Sequence, residues 1–227
     1  MTLVIFDILM TFVIIRVKSI AQKGDMRMRV SKEQAEHNHQ QMLRAAARLF
    51  REHGISATGV DAITQDAGLT HGSLYSQFGS KEALAAEAIR YAATRSKRVW
   101  ERAAQRKPGK NVLPEIVAAY LSREHRDAPG NGCVVAALGA DIARQPRAVR
   151  NAFTTEAKKA LESLGEQMPG DIARRRENAI AAFACMVGGL ILARAVNDED
   201  FSELIMKTAA RGTIELASRP RRRRTSN

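Results

Sequence analysis

Between Gly68 and Leu84 the chain reads GLTHGSLYSQFGSKEAL, which crowds many directional hydrogen-bonding groups into a short stretch. Thr70, His71 and Ser73 carry short donors and acceptors, Tyr75 a phenol, Gln77 an amide and Lys81 an ammonium. Gly72 stands among them, although glycine costs a helix interior about 1 kcal/mol relative to alanine. No nucleophile has a base beside it in a motif, so the chemistry on offer is non-covalent. A helix made only to fill a core would hold more apolar positions and no Gly in its first turn. A helix that presses its backbone and small polar side chains against another surface reads like this one.

The elements that must position those groups surround them. Met42, Ala46, Leu49, Phe50 and His53 share one face of a first helix, which Gly54 ends. TGVDAITQDAG follows; Thr58 with Asp61 resembles a capping box, and Val60, Ile63 and Ala67 face inward until Gly68 stops the second helix. Leu69 crosses the turn, Thr70 caps a third helix running to Phe78, and Leu74 and Phe78, four apart, face the core. Gly79 closes that helix, and Ser80 caps a long fourth one ending at Lys107–Lys110. Two short helices joined by Gly-Leu form a helix-turn-helix, whose DNA-binding form lays the second helix in the major groove. Thr70, His71 and Ser73 would then reach base edges or phosphates, and Gly72 would let backbone approach the groove wall. Tyr75 would give its hydroxyl to a phosphate. Lys81 starts a helix whose free N–H groups favour the same anion. The same spacing also occurs as plain helix packing.

QMLRAAARLFREHGISATGVDAITQDAGLTHGSLYSQFGSKEAL, residues 41–84, resembles the DNA-binding head of the tetracycline-repressor (TetR) family of bacterial transcriptional regulators. The resemblance implies a homodimer of three-helix heads on α-helical bodies, dimerised through the last two helices. It implies that a small molecule bound in the body changes the separation of the heads and releases double-stranded operator DNA. Carried over, Thr58, Tyr75 and Lys81 would contact phosphates while Thr70, His71 and Ser73 face bases. Ser76 stands where an aromatic is frequent, Gln77 where His is frequent, and His71 where Lys or Arg is common. These departures bear on the operator sequence rather than on docking. Gln77 could read an adenine or touch phosphate.

Composition supports an all-α chain with a polyanionic partner. The 227 residues carry a net +12, and Arg219 and Arg221 to Arg224 cluster in a basic tail. Two Cys and five His show no disulfide framework and no metal-ligand spacing, which leads us to expect a reducing cytoplasm, no metal and no cofactor. No enzyme motif is present. Residues 1–30 begin with an apolar run interrupted by Asp7, which is short of the ~20 residues a spanning helix needs. It reads as a membrane anchor, as an extra helix, or as sequence upstream of the true start; Met26 and Met28 favour the last.

The expected organisation is a helix-turn-helix domain over 31–79, a regulatory and dimerisation body over 80–218, and a disordered basic tail over 219–227. In the body, Pro114 to His125 reads as one helix, Cys133 to Gln145 as another, and Pro146 as the first-turn proline of a third. Ala179 to Val196 is apolar nearly all round, broken by Arg194, and Gly188-Gly189 permits close helix approach. It reads equally as a buried central helix or an interface, and the resemblance favours the interface; the short span and the flanking ARRREN disfavour a membrane helix. Trp100, Tyr120, Phe153, Phe183 and Met186 could line a ligand cavity or be ordinary core. Cys133 falls near a helix N-terminus, where thiol reactivity tends to rise. In relatives a cysteine of this sort senses electrophiles; otherwise it is a small buried hydrophobe.

Overall fold

A computed structural model describes the backbone of residues 31–106 and 112–218, with side chains for 31–94 and 112–217. The N-terminal segment, the basic tail and the Trp100 side chain lie outside the described residues. Those described form helices and no strand: α1 (31–53), α2 (Val60–Asp66), α3 (His71–Phe78), α4 (Lys81–Arg106), α5 (Leu113–Tyr120), α6 (Arg123–Asp127), α7 (Val134–Ile142), α8 (Arg147–Glu166), α9 (Ile172–Ala195) and α10 (Glu199–Ser218). The architecture is an N-terminal helix-turn-helix head joined to an α-helical body.

Three local expectations need correction. Gly59, not Thr58, is the N-cap of α2, because the Thr58 hydroxyl turns back and donates to the Gly54 carbonyl (2.6 Å). The stretch 114–125 is two helices, because the Ser122 hydroxyl accepts the His125 N–H and starts α6 afresh. Pro146 caps α8 from outside rather than entering its first turn.

Two apolar cores hold the molecule. The first joins Met42, Phe50, Ile63, Leu74 and Phe78 to Leu84 and Ile89 of α4 and to Leu138 and Ile142 of α7. Packing therefore runs from the head into the body without a gap. Each large side chain so buried contributes about 1.5–3 kcal/mol. The second core lies among α5, α8, α9 and α10, around Ile116, Leu164, Met186 and Leu190.

Polar ties reinforce the junction. Arg51 is buried, and its Nε and Nη2 both donate to the Gly130 carbonyl, with Nε at 2.9 Å. The Asp141 carboxylate near the end of α7 accepts the Ile55 N–H at 2.7 Å, and Gln145 donates to Ser56 at 3.0 Å. The loop between α1 and α2 is thus fastened to α7 by hydrogen bonds as well as by apolar contact.

α9 is long and apolar enough to cross a membrane, yet it packs against α8 and α10. Its close approach to α10 depends on Gly189, where an added Cβ would lie 2.5 Å from the Ala209 Cβ. A neighbour's Cβ cannot swing aside as a flexible side-chain tip could, so the helices must separate. Gly189→Ala is expected to lower unfolding free energy by about 1–3 kcal/mol in chemical denaturation. Gly139→Ala, with nothing within 4 Å of the new atom, is expected to leave it unchanged or slightly raised.

Candidate functional site

The exposed surface of α3 is set by what the helix buries. Leu74 is 0% and Phe78 8% exposed, and His39 of α1 stacks on the Phe78 ring with centroids 4.4 Å apart. That anchoring turns Thr70, His71, Gly72 and Tyr75 outward. Thr70 is the N-cap of α3 by its extended backbone, but its hydroxyl bonds Ser73 Oγ at 2.9 Å instead of a backbone N–H. An added Cβ at Gly72 would meet nothing within 4 Å. Among the described residues no close contact calls for a glycine at this position.

Tyr75 is 48% exposed and its ring leans on His71, 5.4 Å between centroids. Lys81 is partly exposed at the first position of α4, where the Ser80 hydroxyl accepts the Ala83 N–H at 3.1 Å. Thr70, His71, Gly72, Ser73, Tyr75 and Lys81 thus gather around one helix and the start of the next. Two expected contacts are placed otherwise. Thr58 is 3% exposed with its hydroxyl spent on Gly54, so its side chain is a strut beneath the surface rather than part of it. The Gln77 Oε1 is buried and has no hydrogen-bond partner, so this amide is not posed to read an adenine. Asp61 was legible only as a capping candidate. Its carboxylate instead meets His71, a contact across the turn that no local spacing signals.

The body holds a cavity of about 370 Å³ between α4, α7, α8 and α9. Cys133, Phe153 and Phe183 line it, together with Ile89 and Val134. Tyr120 and Met186 do not line it; both are buried in the second core. Sequence reading missed Glu156 and Lys159, which face the cavity about one and two turns along α8 from Phe153 and pair at 2.7 Å. A charged pair on an amphipathic helix looks like a solvated face until the neighbouring helices are in place.

Behind Cys133 lies a polar cluster. Its N–H donates to His125 Nε2 at 2.9 Å, and His125 Nδ1 lies 2.6 Å from the Tyr120 carbonyl. A carbonyl only accepts, so Nδ1 carries the proton and the ring is neutral in this arrangement. Burial pushes His125 below the usual imidazole range, with the Tyr120 carbonyl opposing and Arg194 adding to the shift. Burial, and then the adjacent Cys133 thiol, push the Tyr120 phenol well up, and its hydroxyl has no hydrogen-bond partner of good geometry. Arg194 is satisfied by the carbonyls of Arg126 (2.9 Å) and His125.

The paired short helices, with a buried seam and a polar outward helix, define a helix-turn-helix protein. Residues 42–88, the head, match the model of the bacterial regulatory proteins of the tetR family. An uncharacterized HTH-type transcriptional regulator of Bacillus subtilis, YerO, is 32% identical over 94 residues. That match spans 39% of this chain and only about a third (32%) of the relative. The fold continues through the body. Escherichia coli NemR in its reduced form superposes with a TM-score of 0.65 at 20% identity, covering 81% of this chain and 98% of that one. A TetR-family regulator from Cytophaga hutchinsonii gives 0.66 at 19% identity, covering 82% and 98%.

His125 makes stability pH-dependent with a definite sign. Its folded-state affinity for a proton is depressed, so the unfolded chain binds more protons through the imidazole range and folding weakens as pH falls. Above that range the ring is neutral in both states and the effect vanishes. Denaturation midpoints measured from pH 8 to 5 are expected to fall less steeply in His125→Gln than in the parent.

Proposed function

We propose that the chain is a homodimeric transcriptional repressor. In this reading the head, residues 31–79, docks α3 in the major groove of a palindromic operator, and the body, residues 80–218, binds an effector and dimerises. Such a protein acts in the cytoplasm. The observation that carries the reading is the outward face of α3, polar and partly glycine, held there by Leu74 and Phe78. Thr70, His71 and Ser73 would meet base edges, while Tyr75 and Lys81 would meet phosphates.

The second copy would sit on α9 and α10. Ile180, Ala184, Gly188 and Ile191 form one stripe on α9, and Phe201 and Leu204 stand out from α10; the large residues among these are 43–58% exposed. An apolar surface of this kind on a folded chain favours association.

The effector class follows from the cavity. Its lining is mostly apolar, with the Glu156–Lys159 pair at one side, which suits a compact hydrophobic molecule with one polar end. The Cys133 thiol lies within the same lining, so an electrophilic effector would have a nucleophile at hand. Cys133 caps α7 and Asp141 near the other end of α7 holds the head, which gives ligand binding a direct mechanical route to α3.

Footprinting on DNA upstream of the protein's own gene is expected to show one short protected palindrome. Tyr75→Ala is expected to weaken that binding by about 1–3 kcal/mol with the dimer unchanged. Uniform coating without preference would instead indicate a nucleoid-type binder, and unchanged affinity in Tyr75→Ala would remove that residue from the contact set. Nothing lies within 4 Å of a Cβ at Gly188, so Gly188→Trp is expected to fold normally yet sediment as a monomer. An intact dimer in that variant would move the interface elsewhere.

A further inference from the structure

α2 presents a carboxylate where a surface that approaches phosphates would ordinarily avoid one. Asp61 lies in the first turn of α2 with its side chain 89% exposed, and its Oδ1 is 2.6 Å from Nδ1 of His71, the first residue of α3. The positive end of the α2 dipole accounts for an acid at this position. It does not account for the acid reaching a histidine ten residues away. A carboxylate oxygen only accepts, so the hydrogen of this contact belongs to His71 Nδ1. Tyr75 supports the ring from the next turn of α3, at an interplanar angle of 40°. Nε2 has no partner among the described residues, and in the uncharged ring it is then a pure acceptor. Its neighbours Thr70 and Ser73 are tied to each other, so their hydroxyls can rotate as donors or acceptors. His71 is the group in the first turn of α3 whose polarity another side chain fixes.

We propose that Asp61 is a positioning residue that holds His71 in its Nδ1–H form, and so makes His71 select a base offering an amino group in the major groove. This rests on the reading that α3 docks there. Adenine N6 and cytosine N4 offer such a group, whereas guanine offers only the acceptors N7 and O6 and is refused. Without the carboxylate the ring can turn and exchange its tautomer, Nε2–H becomes available, and guanine is admitted.

Selection of bound duplexes from a randomised pool, run with the full chain in alkaline buffer, tests this directly. The parent is expected to enrich a two-fold motif with adenine or cytosine at one position of each half-site. His71→Ala is expected to relax that position alone. Asp61→Ala is expected to keep the remainder of the motif while discrimination against guanine there falls roughly tenfold. Asp61→Asn, whose amide oxygen still accepts from Nδ1–H, is expected to retain the parental preference, which a charge-screening role for Asp61 does not predict. The proposal is overturned if Asp61→Ala selects the parental base at every position. It is equally overturned if Asp61→Asn loses the preference, or if the parent places guanine where His71→Ala relaxes. A parent that enriches no motif at all removes the groove-docking reading itself, before any variant is compared.

Discussion

The burial of Leu74 and Phe78 against α1 and α4 is the constraint on which the candidate interface depends. Two apolar residues four apart fix the rotation of an eight-residue helix about its own axis. Once that rotation is fixed, the polar residues between them have one direction left. The helix is too short to be stable alone, so packing and outward display are two results of the same contact. His39 stacking on Phe78 closes the seam from the α1 side and couples it, through Glu87 at 3.2 Å, to α4. The outward face of α3 is thus a property of the whole first core.

The parts legible in the sequence were those governed by local rules. Apolar spacing and glycine punctuation placed α1 to α4, since Gly54, Gly68 and Gly79 all adopt positive φ where the chain must turn. The outward residues of α3 followed from the inward ones. What stayed hidden depended on contacts distant in sequence. Thr58 reads as a cap by spacing, yet its hydroxyl prefers the carbonyl of Gly54. The break after Tyr120 carries neither Gly nor Pro, and a single serine hydroxyl makes it. Among the aromatic candidates, burial alone could not separate cavity lining from core. Phe153 and Phe183 border a space, and Tyr120 fills one, because of where α7 and α8 cross neighbours far along the chain.

The body's chemistry is organised about His125. It accepts the Cys133 N–H that precedes α7 and leans edge-on against Tyr120, at 4.7 Å and 87°. The ring replaces water for a helix-end N–H that would otherwise be buried without a partner. Arg194 on α9 then secures the backbone carrying that ring. One wall of the cavity is therefore fixed by polar contacts from three helices.

α7 has nine residues and so measures about 14 Å from end to end. A rod that short scarcely bends. Its first turn borders the cavity and its last holds the loop that follows α1. A shift at one end would be passed to the other as a translation rather than as local softening. The distance between chamber and head is thereby made mechanically small, although the two belong to different parts of the chain.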